Sequence, residues 1–145
     1  MSMTQLLFLF QGRLNRQPYW LIVIAIAVVF ILLVLFALAT GFEGDFAASG
    51  MIFLILGILY IPLIWIGLAI AVKRLHDRNK SAWWLVVFYI VPGILGGIAY
   101  QIGMAGAVLH LVSFGITVWA FVELGCLRGT RGPNRYGPDP LTLAA

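Results

Sequence analysis

Side chains that exchange protons or ligate metals are scarce here: 2 histidines, 5 carboxylates and 1 cysteine in 145 residues. Their spacing narrows the chemistry further. His76 and Asp77 are adjacent, and such a pair could hold a metal or pass a proton. Adjacent helical residues diverge by about 100°, however, and a metal site needs about three protein ligands or more. No further ligand lies close in sequence, so neither a metal nor a cofactor is expected. His76 is read instead as donating a hydrogen bond to a neighbouring carbonyl or carboxylate. His110 stands in another apolar stretch, followed at helical spacing by Ser113 and Thr117. This intramembrane polar stripe is read as facing the protein interior, where such residues bond one helix to another. A single histidine with no carboxylate at its depth makes a poor proton relay. Glu123 lies inside the end of the same stretch, where a bare carboxylate is costly. It therefore needs a cation, and Arg74, Arg78 and Arg128 are the candidates. Arg128 is badly spaced for a pair on the same helix, so a partner across the bundle is expected. No catalytic residue is assigned, and Cys126 is given no role.

The cations say more. All 9 Lys and Arg fall in short clusters between apolar runs: Arg13 and Arg16; Lys73, Arg74, Arg78 and Lys80; Arg128, Arg131 and Arg135. If the helix carrying Arg74 continues to Arg78, Arg74 shares a face with Asp77 and with Arg78. Asp77 then pairs with Arg74 and leaves Arg78 to another partner. Asn79 suits a left-handed turn, and Ser81 suits the N-cap of the next helix. The plain reading is a charged hairpin that fixes topology. The sharper one has Arg13, Arg16, Arg74, Arg78 and Arg135 converge on one surface ringed by Tyr19, Trp20, Trp83 and Trp84. Guanidinium forks grip phosphate oxygens bidentately, so that surface would suit anionic lipid headgroups or another anionic ligand. The net charge of +4 does not argue for nucleic acid, because the basic residues are interleaved with apolar runs and line no single exposed face.

These residues must be positioned by membrane helices. Hydrophobic residues make up 63% and charged residues 10%, against about 45–50% and about 25% in soluble domains. Mean hydropathy is +1.06. A soluble globule of this size could not bury so much apolar surface, which excludes a soluble enzyme, a disordered tail protein and a disulfide-stapled domain. The uncharged runs predict an all-α, polytopic fold with four transmembrane helices. Their approximate spans are 19–39, 51–72, 82–100 and 103–126, with a turn at Tyr100–Gly103 and a tail at 127–145. The whole chain, 1–145, reads as a single domain.

Four spans put every basic residue on one side and leave Glu43 and Asp45 in the first connection. Three or five spans would scatter them. The positive-inside rule then makes both termini cytoplasmic, and Trp20, Trp83 and Trp84 fall at the cytoplasmic interface. Ala37-Leu38-Ala39 has the form of a signal-peptidase site, but the apolar run before it exceeds the roughly 7–15 residues of a signal peptide. The first helix is expected to stay. Leu6–Phe10 reads as an interfacial segment. Gly93 and Gly97, like Gly67 and Ala71, have the spacing of close-packed helices, within the bundle or in a homodimer. Pro62 and Pro92 are expected to kink their helices, and the Gly- and Pro-rich tail from Gly129 cannot form a long helix.

Three segments then carry a family likeness: Phe10-Gln-Gly-Arg13-Leu-Asn-Arg16-Gln-Pro-Tyr19-Trp20, Arg74-Leu-His76-Asp77-Arg78-Asn-Lys-Ser-Ala-Trp83-Trp84 and Gly132-Pro-Asn134-Arg135-Tyr136-Gly-Pro-Asp139-Pro140. In this order the chain resembles the DUF805 family of small bacterial inner-membrane proteins. Ala82 stands where that pattern has glycine, and Pro18 where a polar residue is common. The resemblance implies a multi-pass, four-helix protein of the bacterial inner membrane, and it implies no activity. It also implies a tail that docks on the central loop through Asn134, Arg135 and Tyr136, so that His76, Asp77, Asn134, Tyr136 and Glu123 form a structural polar network.

The function expected is non-catalytic: a basic, aromatic cytoplasmic face that binds anionic lipid or a protein partner. The partners expected are membrane lipids, a second copy of the chain or another membrane protein, and no nucleic acid. One alternative is a small oligomeric transporter or channel subunit working around His110. Another is a membrane enzyme acting on lipid phosphate at His76 and Asp77, which resemble the His-Asp pair of metal-dependent phosphohydrolases.

Overall fold

The computed structural model describes residues 2–40 and 46–142, so Glu43 and Asp45 of the first connection lie outside the described residues. Helices and turns account for the described chain, with one isolated bridge between Asn134 and Gly137. The order is α1 (Met3–Phe8), α2 (Arg16–Thr40), α3 (Phe46–Asp77), a π-helical turn at Val86–Ile90, α4 (Val91–Gln101), a 3-10 turn at Gly103–Gly106, α5 (Ala107–Phe121) and a second π-helical turn at Val122–Cys126. Three stretches are long and apolar enough to cross a membrane: Arg16–Ala39 with 24 residues, Gly50–Asp77 with 28 and Gly103–Cys126 with 24. At 1.5 Å per residue, each exceeds the roughly 30 Å of a hydrocarbon core. Val86–Gln101 is a shorter apolar helix.

The chain divides into two compact units. One comprises Met1–Leu9 and Trp20–Ile70. Its α1 is closed by a capping box, in which the Ser2 hydroxyl accepts from Gln5 N at 3.2 Å and Gln5 Oε1 accepts from Ser2 N at 3.1 Å. The Trp65 indole donates to Phe8 O at 3.0 Å, and Phe30 and Tyr60 meet with centroids 5.3 Å apart. Pro62 sits inside α3 without ending it.

The other unit comprises Phe10–Tyr19 and Ala71–Ala145, and holds most of the buried polar side chains. α3 runs beyond the expected limit at residue 72 because Lys73 and Arg74 are buried rather than solvated. Asn79, at φ 58°, then stops it. The Asn79 amide donates to His76 O at 3.0 Å and the Lys80 amide to Leu75 O at 2.8 Å. That is the Schellman arrangement, in which a left-handed residue returns the chain onto the last carbonyls.

The third helix departs from expectation at its start. Ala82 and Trp83 form a turn, with the Trp84 amide bonded to the Ser81 carbonyl at 3.2 Å. No side chain caps the helical turn at Leu85, so Ser81 is not the N-cap that its residue type suggested. Val91 N bonds back to Val86 O, closing a π-turn directly before Pro92. Proline supplies no N–H to the preceding turn, so a widened turn there is a local answer to the missing donor. The helix ends at Gln101, and Gly103 (φ 58°) makes the expected break. Gly106 is where the hairpin closes tightest: an added Cβ would strike the backbone of the buried Ala99. Gly93, Gly97 and Gly67, by contrast, have open space where a side chain would go.

Candidate functional site

The site is built around Asp77, the last residue of α3, which is 2% exposed. Arg74 lies one turn earlier on the same face, and its Nη1 reaches Asp77 Oδ2 at 2.5 Å. Arg13, from the segment before α2, donates from Nε to Asp77 Oδ1 at 3.1 Å, with Nη2 also 3.1 Å from that oxygen. Both carboxylate oxygens are therefore engaged by guanidinium groups. Isolated buried charges cost several kcal/mol each in desolvation. Here two cations share one anion, and backbone carbonyls supply the remaining compensation.

Arg13 shows how. Its Nη1 donates to Gly132 O at 2.7 Å and Gly137 O at 3.3 Å, and its Nη2 to Thr130 O at 2.6 Å and Thr130 Oγ1 at 3.2 Å. A guanidinium has five N–H donors, and these contacts occupy the whole fork. The backbone around it is paired as well, with Leu14 N donating to Lys73 O at 3.2 Å.

Other arginines close the end of the last helix. A helix C-terminus leaves orphan carbonyls and a partial negative charge. Arg74 donates from Nε to Leu124 O at 2.7 Å and from Nη2 to Leu127 O. Arg16 Nη1 reaches Cys126 O at 3.0 Å, and Arg78 Nη1 reaches Arg128 O. The three arginines together cap the carbonyls that no further helical turn satisfies.

The tail is the third component, and it is ordered by polar contacts rather than by apolar burial. Thr130 donates twice to the Asp77 carbonyl, from its amide at 2.8 Å and its hydroxyl at 3.0 Å. Asn134 Nδ2 donates to His76 O and to Thr130 Oγ1, each at 2.9 Å, while its Oδ1 accepts from Tyr136 N at 2.9 Å. Tyr136 stacks flat on His76, with centroids 3.8 Å apart and planes 6° from parallel. Arg135 packs over the Tyr136 ring at 4.7 Å and donates to Asn79 O at 3.1 Å. His76 Nδ1 lies 3.3 Å from Gly12 O, and since a carbonyl only accepts, that nitrogen carries the proton. Asp139 Oδ1 accepts from Leu141 N and Oδ2 from Gly132 N, each at 3.0 Å. These two amides hold its carboxyl below the usual carboxylate range. Gly129 passes so close to the Asp77 carboxylate that a Cβ there would collide with it.

A second ion cluster borders the first. Glu123 Oε1 accepts from Arg78 Nε at 3.0 Å and from Lys80 Nζ at 3.2 Å. The Lys80 ammonium also sits over the rings of Trp84, at 4.6 Å, and Trp119, at 5.6 Å. Trp84, Trp119 and Phe88 pack against one another with centroids 5.3–5.7 Å apart.

The profile of a family described as of unknown function, DUF805, matches residues 7–138. The chain belongs to the DUF805 family. It is 34% identical to the uncharacterized protein YiiR of Escherichia coli strain K12 over 142 residues, covering 96% of this chain and 90% of that one. It is 30% identical to the inner membrane protein YhaH over 131 residues (90% and 86%) and 31% identical to the inner membrane protein YhaI over 131 residues (90% and 85%), both of the same organism. No solved structure matches it.

In this DUF805 chain the structure separates the arginines that the sequence grouped. Arg13 and Arg74 were expected on an anion-facing surface. They are instead 4% and 0% exposed, with donors spent on Asp77 and on carbonyls of this chain. Arg78 is partly buried on Glu123. Arg16 and Arg135 stay exposed, as do Arg128 and Arg131. His76 meets Asn134 and Tyr136 directly, Asp77 reaches Asn134 through Thr130, and Glu123 pairs instead with Arg78 and Lys80.

The polar stripe is different. His110 lies one turn from the start of α5 and is exposed, so its side chain does not face into the helix pair. Thr117 is exposed and bonds its own helix at Ser113 O, 3.0 Å away. Only Ser113 reaches another helix, donating to Pro92 O at 3.1 Å. The short hairpin brings Gly106, just before α5, against Ala99 and turns the α5 face carrying Ser113 toward Pro92.

Residue type gave no notice of Thr130, Asp139 or Gly129. A contact to a backbone carbonyl or amide leaves no charge-complementary partner in the sequence. Lys80 carried a usable signal, a cation shortly before paired tryptophans. Among the described residues, no three His, Cys, Asp or Glu side chains come together as a metal site.

Proposed function

We propose that this chain is a non-catalytic, four-span protein of the bacterial inner membrane, with both termini cytoplasmic. Its loop and tail lock into a rigid knot that presents outward arginines to anionic lipid headgroups. The observation that carries this reading is the division of labour among the arginines. Arg13 and Arg74 are consumed in building the knot, while Arg16, Arg128, Arg131 and Arg135 remain exposed around it.

Support for four spans comes from what meets in the knot. Arg13 before α2 pairs with Asp77 ending α3, Arg74 beside Asp77 reaches Leu124 O in the last helix, and Lys80 before the third span pairs with Glu123 ending the fourth. If Gly103–Cys126 crosses the bilayer, the helix before it must cross too, since Glu123 returns to Arg78 and Lys80. Every basic residue then lies on one side, which the positive-inside rule makes cytoplasmic. The names of the inner membrane relatives YhaH and YhaI favour the same location.

Support for a non-enzymatic role comes from the carboxylates. A general base must come within reach of substrate, and Asp77 is buried with both oxygens held by guanidinium groups.

Native mass spectrometry of the gently extracted, full-length protein tests the lipid reading. Retained phosphatidylglycerol is expected to fall in an Arg128→Ala, Arg131→Ala double variant that melts like the parent. Unchanged retention would leave those arginines with orientation alone and overturn the lipid assignment.

A further inference from the structure

The cluster around Glu123 holds more than the knot requires. Arg78 alone already neutralises the carboxylate through Oε1, yet Lys80 shares the same oxygen. Both ion pairs end on Oε1, which leaves Glu123 Oε2 without a hydrogen bond from any described residue and with part of its surface open. Beside it the Trp84 and Trp119 rings stand edge to face at 80°, with Phe88 closing the floor. A carboxylate flanked by indole rings is the arrangement that recognises organic ammonium groups. Lys80 fills it here, with its side chain 26% exposed.

Two features fit an exchangeable occupant. Lysine is a flexible, single-charge donor, and its departure would leave Glu123 still paired with Arg78. The rings also border the apolar surface, with Trp119 41% and Val118 44% exposed on α5 just before Glu123. Tryptophan at such a level is where an amphipathic ring meets lipid headgroups. A ligand entering from that side would carry acyl chains.

We propose that Trp84, Trp119 and Glu123 form a binding site for the primary ammonium of an ethanolamine phospholipid headgroup, for which the Lys80 side chain is a tethered competitor. The ammonium would donate to the open Glu123 Oε2 and lie over the two indole rings. A choline headgroup has no N–H to donate, so the site discriminates between the two. This site uses none of the outward arginines assigned to anionic lipid, and the two readings can fail separately.

The test is native mass spectrometry of the full chain released from nanodiscs of phosphatidylethanolamine, phosphatidylcholine or phosphatidylglycerol. Phosphatidylethanolamine is expected to be retained about fivefold more than phosphatidylcholine, roughly the worth of one hydrogen bond, since both headgroups can make the cation–π contact. Trp119→Leu should lower phosphatidylethanolamine retention and leave phosphatidylglycerol retention intact. Lys80→Met is the decisive variant, because removing the competitor should raise phosphatidylethanolamine retention, whereas a merely structural lysine would not. Equal retention of the two zwitterionic lipids, or a Lys80→Met variant with unchanged or lower retention, would overturn the proposal. Retention of free ethanolamine in place of the lipid would overturn the lipid assignment.

Discussion

The unit of Met1–Leu9 and Trp20–Ile70 and the unit of Phe10–Tyr19 and Ala71–Ala145 satisfy their polar groups in opposite ways. In the first, peptide groups bond along two long helices, and side chains such as Leu21, Ile31, Leu54 and Ile58 are more than half exposed. Many apolar residues would serve at those positions. In the second, the chain leaves helical geometry repeatedly, and arginine forks take up the carbonyls that the breaks expose. There the identity of single atoms matters. One unit needs only a composition, whereas the other needs particular residues in particular places.

The largest effect should come from breaking the hub. Asp77→Asn leaves the guanidinium groups of Arg13 and Arg74 buried with no anion. Removing one partner of a buried ion pair costs about 3–5 kcal/mol, and this carboxylate serves two. The paired control is Ile58→Ala in the apolar unit, where the side chain is 58% exposed and the change should be near zero in a lipid-like environment. Melting curves of both variants in the same detergent provide the comparison. Equal shifts would abolish the distinction between the units.

A smaller effect is expected at Gly129, where the hub touches the tail. Gly129→Ala drives a Cβ into the Asp77 carboxylate, which is fixed by two arginines and cannot step aside. Overpacking of this kind costs about 1–3 kcal/mol. Gly97→Ala, with open space around the position, should cost little and gain some helix propensity. Limited proteolysis near residue 130, compared with melting, separates a loosened tail from a loosened bundle. If Gly97→Ala were the more damaging variant, the knot would not be the tighter of the two packings.

How far the sequence reveals this organisation depends on which kind of partner each residue has. Arg74 and Asp77 face each other because three residues of helix bring them together, so their contact is readable from spacing. Arg78 is then left over, Glu123 lacks a cation, and their pairing follows from charge. Asn79 advertises its left-handed turn by residue type. The fork of Arg13 is another matter, since it grips the carbonyls of Thr130, Gly132 and Gly137, and every residue has a carbonyl. The sequence also cannot say that Arg13 faces inward while Arg131, equally basic, faces outward. That is decided by which carbonyls the tail leaves open. The exposure of His110 likewise depends on which face of α5 the hairpin turns toward α4, and the position of the break does not reveal that.

The smallest effect, and the one that sharpens the comparison most finely, concerns Asp139. Its carboxylate holds the tail turn by accepting from the Leu141 and Gly132 amides, and these bonds lower its pKa. A carboxyl whose folded pKa is depressed contributes stability that is present above its unfolded pKa, about 3.9, and is lost as pH falls through the folded value. The tail should therefore open to protease below about pH 4 while the helices of the apolar unit, which contain no carboxylate among their described residues, stay intact. Asp139→Asn should reproduce the acid behaviour at neutral pH and remove the pH dependence of cleavage. Unchanged pH dependence in that variant would move the titrating group to Asp77 or Glu123, and the tail would then be held by the hub alone rather than by its own turn.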